Sequence, residues 1–583
     1  MKAPESGTFS LPGKLVPWLL IAAGALVYAN SLDAPFVFDD LGAIVENKDI
    51  QHLWPLWLDP QTSERPSLNG RPLVRFSLAL NYAFGGLEVR GYHAVNIALH
   101  ILCALLLFGL VRRTLLTTNR KPEWARSATS LAFCCALLWM VHPLHNQCIN
   151  YIIQRSEVLA GLFYLASFYC AQRGFSSPHT RRWHSLAILA CALGMASKET
   201  MLTAPLLILT YERIFHPASW RQLWHRHGGF YLGLAATWSI SALLLASSPH
   251  GDSIGFTGGI DAWTYALNQC LVVADYLQKA LWPHPLILDY GFPRMLRLGV
   301  VWPQAMLLAM LLALVALGLR YKPEVGFLGL WFFVILAPTS SFVPLVNEVG
   351  AERRIYLSLA ALVVLLVVAL DWLTRRWTLH LSPNRSPVWR ALVVVPLAGA
   401  LSLGTVERNR DHCDALSLWQ TVVDAVPHNP RAHTYLGLAL IEAGQFDRAL
   451  AHYRQALQLK SDYAEAHNNL AIALGLQGRS EEAIHHYTRA LQLNPNLLQA
   501  YNNLGNALVA RGQLDQAIAY FTRALQLKST YADAHNNMGI ALGLQGRSEE
   551  AVAHFRQALL LRPAFAAAKK NLSIARRAKS PAP

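Results

Sequence analysis

Charged side chains are scarce in this chain of 583 residues: Asp, Glu, Lys and Arg make up 15%, against 53% hydrophobic residues. Soluble domains carry about a quarter charged residues, so a single soluble domain of ordinary composition is excluded and a membrane is the first expectation. Acidic groups are the scarcer sign, 35 Asp and Glu against 50 Lys and Arg. The basic surplus is not gathered on one soluble face, as a nucleic-acid footprint requires. Cysteine is present but unpatterned. Seven of the eight, from Cys103 and Cys134 to Cys270, lie in or beside apolar stretches without C-x-x-C spacing, which favours buried packing over a metal or a disulfide framework. Metal-ligand spacing is missing as well: the HPLH motif has neither i,i+4 spacing nor a third ligand nearby in sequence.

What the chain does have is hydrocarbon. Apolar windows long enough to cross a bilayer recur at 14–32, 92–111, 127–145, 150–170, 183–198, 199–215, 229–248, 300–319, 324–343, 355–373 and 388–406, eleven candidate spans. Basic residues follow every even-numbered span, among them Arg112 and Arg113, Arg173, Arg213, Arg320 and Lys322, and Arg375 and Arg376. By the positive-inside rule those loops and the amino terminus are cytoplasmic. Residues 262–282 are nearly apolar enough for another span, but Asn268, Gln269, Asp275, Gln278 and Lys279 are expensive in lipid. That stretch reads as an amphipathic helix at the outer interface. The first apolar stretch resembles a signal peptide and is expected to stay as an anchor, because cleavage would sever the acidic loop that follows it.

From residue 432 the sequence repeats every 34 residues through four copies, with Ala449, Ala483, Ala517 and Ala551 at one position and Tyr453, Tyr487, Phe521 and Phe555 at another. This resembles the tetratricopeptide repeat, a stack of helix pairs that forms a binding surface. Residues 407–431 read as a half-repeat cap, 432–567 as the repeats and 568–583 as a basic capping helix and tail. Asn469, Asn503 and Asn537 recur on the first helix of each pair. An amide donates and accepts, so such a ladder can hold an extended acceptor peptide by its backbone. A similar ladder occurs in soluble protein O-glycosyltransferases. Simple conformity to the repeat consensus is the other reading.

The ionisable motifs of the first 406 residues share one side of the predicted topology. Asp39 and Asp40 follow the first span, in an outer loop of residues 33–91; a second outer loop covers 249–299. VHPLH places His142 and His145 at the end of the third span, with Arg155 and Glu157 opening the fourth. SKE puts Lys198 and Glu199 between the fifth and sixth spans, and NEVGAERRIY brings Glu348, Glu352, Arg353 and Tyr356 to the tenth. Each alone is readily a snorkelling anchor. Mixed in sign and converging on one leaflet, they have the chemistry of a site where a carboxylate removes a proton and cations hold an anion. Asp39 or Asp40 is the base; Arg155, Lys198, Arg353, His142 and His145 bind phosphate; Glu157, Glu199 and Glu352 orient the cations. Successive side chains of an extended segment face opposite ways, and Asp40 is placed to cap a short helix, which leans the base assignment to Asp39.

With RPLVRFSLALNYAFGGLEVRGYHAVNIALH, VHPLH, SKE, ERR-Y and the repeats, the chain resembles the transmembrane and tetratricopeptide-containing O-mannosyltransferases and their bacterial relatives, within the C-type integral-membrane glycosyltransferases. The resemblance implies an all-α polytopic bundle of about eleven spans followed by a repeat solenoid. It implies inverting transfer of a sugar from a polyprenyl-phosphate donor to an acceptor hydroxyl, with a first-loop acid as base. Its partners are that donor, a protein or peptide acceptor and membrane lipids. Some C-type enzymes use a divalent cation; no spacing here demands one. The expected location is a bacterial inner membrane with periplasmic repeats. A membrane scaffold that recruits envelope-assembly partners is the alternative function. A transporter fits less well, since its charges lie near mid-membrane, and a glycan or lipid acceptor would keep the enzyme but change its substrate.

Overall fold

The structure, a computed structural model, describes residues 13–54, 70–117, 122–216, 219–247, 260–341, 343–345, 348–378 and 386–579. Parts of both outer loops, 55–69 and 248–259, and the basic residues Arg120, Lys121 and Arg385 lie outside them. The regular elements among the described residues are helices, and the chain divides into two compact units, Met1–Leu418 and Trp419–Pro583.

The first unit contains α1 (Val16–Tyr28), α2 (Pro72–Gly85), α3 (Val89–Thr117), α4 (Pro122–Met140), α5 (Asn146–Asn150), α6 (Arg155–Ser176), α7 (Thr180–Met195) and α8 (Ala204–Phe215). It continues with α9 (Trp220–Ala236), α10 (Trp238–Ser247), α11 (Ala262–Leu281), α12 (Leu298–Tyr321), α13 (Pro323–Leu336), α14 (Leu359–Thr378) and α15 (Ser386–Asp411), after which α16 (Ala415–Ala425) begins. Each apolar window falls on a helix, α9 and α10 sharing one. Length is another matter. Among the described residues four helical stretches are long and apolar enough to cross a bilayer: Val89–Thr117, Trp220–Ser247, Leu298–Tyr321 and Ala391–Asp411. A bent pair, Ser127–Met140 with Pro143–Asn150, makes five. The expected eleven is therefore not reached by length and apolarity together, since α6 and α14 have 22 and 20 residues but carry too much polarity. Elsewhere the reason is local: several windows overrun their helices at one end, where the chain turns through 3-10 segments at Pro143–His145, Ile152–Gln154, Glu199–Thr203 and Glu352–Ile355.

Bonds between helix ends fix the directions. At one end the Tyr28 hydroxyl closing α1 donates to the carbonyl of Met140 closing α4 (3.1 Å), and the Trp139 indole donates to the Tyr356 carbonyl just before α14 (3.1 Å). At the other end Thr114 late in α3 and Gln172 late in α6 meet the Tyr211 hydroxyl late in α8 (2.8 and 2.6 Å), while Arg375 of α14 reaches Ser127 of α4 (3.0 Å). These helices thus alternate in direction. The last turn of α15 returns to the first end: the Asn409 amide donates to the Val27 carbonyl (3.0 Å) and to Asn30 (2.7 Å). The chain leaves the first unit at the end where the acid pair lies. Outward faces stay greasy. Of the apolar window of α12 only 6% is buried, and Trp302, Met306 and Met310 are exposed, a contiguous apolar surface that water does not tolerate.

The second unit is four helix pairs, α17 (Pro430–Glu442) with α18 (Phe446–Leu459), α19 (Ala464–Leu476) with α20 (Ser480–Leu493), α21 (Leu498–Ala510) with α22 (Leu514–Leu527) and α23 (Ala532–Leu544) with α24 (Ser548–Leu561), followed by α25 (Ala566–Lys579). The turn inside each pair needs a left-handed residue, supplied by Gly444, Gly478, Gly512 and Gly546 at φ of 74°, 79°, 73° and 81°. Close helix approach comes from buried Ala449, Ala483, Ala517 and Ala551. At Gly505 a Cβ would lie 2.5 Å from the Phe521 ring, so the aromatic of the second helix packs on bare backbone of the first.

Candidate functional site

The two acids leave α1 through a short loop and enter a helical turn at Leu41–Val45. Phe38, just before them, holds φ at 53°, in the left-handed region that an aromatic residue rarely occupies. The carboxylates then part company: Asp39 is exposed and Asp40 fully buried. Asp40 Oδ2 accepts the amides of Val37 (3.3 Å) and Ile152 (3.2 Å), and Oδ1 accepts that of Ile153 (2.8 Å). Burial pushes its carboxyl up to about 7, with Asp39 adding to the rise and the three amides opposing it. The expected helix cap at Asp40 is not formed by its side chain. Amides of a segment more distant in sequence take those oxygens instead.

Asp39 stands at the start of a run of charge. Its amide donates to the Tyr151 hydroxyl (3.3 Å), and that phenol interacts electrostatically with both acids and with Arg353. Arg353 pairs with Glu348 at 2.5 Å, keeps its side chain 14% exposed, and interacts with Glu157. Glu157 and Lys198 form a buried ion pair. Lys198 in turn lies in the field of Arg71, Glu199 and Arg353, and Arg71 meets Glu199 at 3.3 Å. Beside Lys198 and Glu199 a cleft is closed by Met195, Ser241, Leu244 and Leu245. One wall is charged and the other is hydrocarbon.

Other predicted residues sit deeper. Arg155 is fully buried and its donors go to the protein: Nε to Asn96 Oδ1 (2.6 Å), one terminal nitrogen to Ser77 (3.1 Å) and Asn81 (2.5 Å), the other to the Tyr92 carbonyl (2.9 Å). It ties α2 and α3 to the start of α6. His142 accepts the Leu144 amide (3.3 Å) and its other nitrogen lies 3.3 Å from the Ala280 carbonyl. His145 is buried between Trp139 and Tyr356, ring centroids 4.5 and 4.7 Å away, and the Tyr356 hydroxyl bonds His100 at 2.8 Å. The VHPLH and ERR-Y motifs therefore meet each other in an aromatic box. Glu352 does not orient Arg353. It accepts Lys279 (3.2 Å) and the Ile287 amide (2.5 Å), fastening α11, whose Asn268, Gln269 and Lys279 are buried while Gln278 is exposed. Sequence reasoning assigned no role to Arg71, Tyr151 or Lys279. Arg71 opens the quoted RPLVRF stretch, and Tyr151 lies four residues before Arg155, so both stood beside recognised motifs.

Among the described residues no three His, Cys, Asp or Glu side chains converge as metal ligands.

In the repeats the asparagines form a ladder between neighbouring repeats. Asn503 donates to Asn468 (3.2 Å), Asn537 to Asn502 (2.9 Å) and Asn571 to Asn536 (2.9 Å), each reaching back one repeat. Asn469 and Asn537 also accept from their neighbours Asn468 and Asn536 (3.1 and 3.0 Å). The expected trio is thus half of a double column, partly occupied in joining repeats and partly buried.

A helical bundle with a polar cluster at one end, joined to tetratricopeptide repeats, defines the class. Tetratricopeptide repeat models match residues 437–478, 464–497, 486–519, 505–546 and 532–565. Beyond the repeats, the chain is similar to Protein O-mannosyl-transferase TMTC4 of Mus musculus, 27% identical over 76% of this chain and 67% of that protein. It is similar to Protein O-mannosyl-transferase Tmtc3 of Drosophila melanogaster at 26%, covering 79% and 56%, and to TMTC1 of Homo sapiens at 27%, covering 76% and 55%. The chain spans between about half and two thirds of the length of these relatives. The expected resemblance to tetratricopeptide-containing O-mannosyltransferases is found. Among solved structures, a crystal structure of MamA protein is 25% identical over 27% of this chain and 85% of its own, with a TM-score of 0.24.

Proposed function

We propose that the protein is a membrane glycosyltransferase that moves a sugar from a polyprenyl-phosphate donor to Ser or Thr hydroxyls of proteins. The observation that carries the reading is the division of labour in the acid pair: Asp39 faces solvent beside a chain of cations, while Asp40 is buried as a latch. The relatives are named protein O-mannosyl-transferases, which makes mannose the first sugar to test. In this account eleven helices cross a bacterial inner membrane, the shorter ones completed by their 3-10 segments, and the acid end faces the periplasm.

A lipid-linked sugar stays in the bilayer, so its enzyme must be integral and its site near the headgroups. Asp39 takes the proton of the acceptor hydroxyl as that oxygen attacks the anomeric carbon, inverting it. The bond to the phosphate oxygen breaks, and the departing phosphate needs cations that already stand in place. Lys198, Arg353 and Arg71 fill that role, held by Glu157, Glu348 and Glu199. Arg155, His142, His145, Glu352 and Tyr356 act as positioning residues that shape this end. The cleft between Lys198 and Leu244 receives the phosphate end of the donor. The ladder of Asn469, Asn503 and Asn537 holds an extended acceptor through its remaining amide valences.

The test is transfer of radiolabelled mannose from polyprenyl-phosphate-mannose to a Ser/Thr-rich peptide by the purified full chain in detergent. Label in the peptide, released by alkaline elimination, is the expected result. Label in a glycan, or in nothing while the repeats still capture partners, would replace this reading with another acceptor or with a scaffold.

A further inference from the structure

At the end of the bundle remote from the acid pair, a cavity of about 130 Å³ opens among α3, α4, α6, α8, α13 and α14. Leu110, Phe168, Phe215, Phe327, Trp331 and Val364 make its wall, and Thr114, Tyr211 and Glu324 are its polar members. Apolar cavities near 150 Å³ stay dry and take hydrocarbon guests.

Cations neighbour the lining residues, Arg113 by its interaction with Tyr211 and the others in sequence. Arg113 adjoins Thr114 in sequence and interacts with Tyr211, and its Nε is buried without a hydrogen-bond partner. Its terminal nitrogen donates to Ser176 at 3.2 Å. Arg213 lies two residues before Phe215, and Arg320 and Lys322 lie just before Glu324, all three exposed. Among the described side chains two carboxylates answer them: Glu324 in the lining, and Glu212, which is already engaged by His227 (2.8 Å) and Tyr231. Greasy space for part of one chain, with cations adjoining its lining at the bundle end, is the pattern that binds anionic headgroups at the inner leaflet.

We propose that this cavity is a structural lipid site, holding part of one acyl chain of an anionic phospholipid whose phosphate meets Arg113 and the Arg320 and Lys322 pair. The proposal rests on the membrane reading of the first unit and not on sugar transfer.

Native mass spectrometry of the full chain, delipidated and titrated with phosphatidylglycerol or phosphatidylcholine, tests it. The wild type is expected to keep phosphatidylglycerol in preference. Leu110→Trp and Val364→Phe, which fill the cavity, should weaken retention about tenfold, the effect of withdrawing roughly two methylenes from apolar burial. Arg113→Gln with Arg320→Gln should remove the headgroup preference while the helical circular dichroism stays unchanged. Equal retention of both lipids by the wild type, undiminished retention in both filled variants, or retention of polyprenyl phosphate instead would overturn it. Loss of sugar transfer with lipid retention intact leaves this site standing and defeats only the catalytic reading.

Discussion

Asp40 accepts the amide hydrogen of Ile153 across 113 residues of sequence, at 2.8 Å. That bond, with its neighbour from Ile152, fastens the loop carrying Asp39 to the segment that leads into Arg155 and Glu157. The latch fixes where the exposed acid stands relative to the cations.

Asp40→Asn should therefore act on structure first. An amide keeps one acceptor oxygen but points an NH2 at amide donors, leaving a buried polar group unsatisfied at about 1–3 kcal/mol. Thermal unfolding in detergent should show the loss, and Asp40→Ala should lose at least as much. An unchanged melting point in both variants would remove the latch.

Asp40 also sets a pH dependence. Its carboxyl is raised by burial from 3.8 to about 7, so between those values the folded state holds a proton that the unfolded chain has released. Stability from this group is present at low pH and is lost as pH rises through about 7. Once corrected for the intrinsic base-catalysed rise of amide exchange with pH, the protection of residues 37–41 and 150–154 should be greater at pH 5 than at pH 8. Asp40→Asn should flatten that difference.

The repeats carry the opposite sign. His467 and His486 face each other with Nδ1 atoms 3.0 Å apart, His433 with His452 and His535 with His554 at the same distance, and in the third repeat Tyr501 and Tyr520 take the place. Only one proton fits between two such nitrogens. Burial holds His486 down to about 4 and depresses His452, His467 and His554; neighbouring histidines oppose protonation too. Arg448, Arg454 and Arg489 act in the same sense near the first two pairs, while Glu482 and Glu550 oppose. The unfolded chain binds protons first, so this stability is present above about 6.5 and lost as pH falls from there toward about 4. Amide protection, corrected for the intrinsic pH dependence of exchange, should fall between pH 7 and pH 5 in repeats one, two and four and least in repeat three. An equal fall in the third would refute the pairing as its cause.

Lys198 and Glu157 are buried together. Lys198→Met strands a buried carboxylate, and the expected destabilisation is about 3–5 kcal/mol. Lys198→Met with Glu157→Leu should recover most of that loss, because an apolar pair of similar volume removes the stranded charge. Transfer activity should not return with it if Lys198 receives the phosphate. Recovery of both would make the pair purely structural.

Asn502→Ala removes a buried acceptor from the ladder between repeats. A loss of about 1 kcal/mol in repeat stability is expected. Asn469→Ala, whose amide is less buried, should reduce peptide capture more than it reduces stability, measured by fluorescence anisotropy.

Periodicity made the small and aromatic positions of the repeats legible, because every copy must offer them to its neighbours, but not the element ends: α17 opens at Pro430, α25 at Ala566, and α15 runs on to Asp411 inside the expected cap. The bundle was legible as hydropathy, but windows see composition and not where a helix ends. They ran through the 3-10 segments at Ile152 and Glu199, where the polar cluster is built. Motif reading found residues that share one end of the bundle, since alternation of direction forces that much. It could not rank their depth. Arg155 and His145 carry the same chemistry in sequence as Arg353 and Lys198, yet the first is saturated by Asn96, Ser77, Asn81 and Tyr92 and the second is enclosed by aromatics. Glu352 went to Lys279 because α11 folds against it, a contact 73 residues away that no spacing rule reports.

The most direct measurement is mannose transfer by Asp39→Asn, made in the full chain and compared with wild type at equal folded fraction. General-base loss predicts a fall of about 10²–10⁴-fold in rate with an unchanged melting temperature, since Asp39 is exposed and its side chain is not the latch. Transfer at the wild-type rate in this variant would contradict the account.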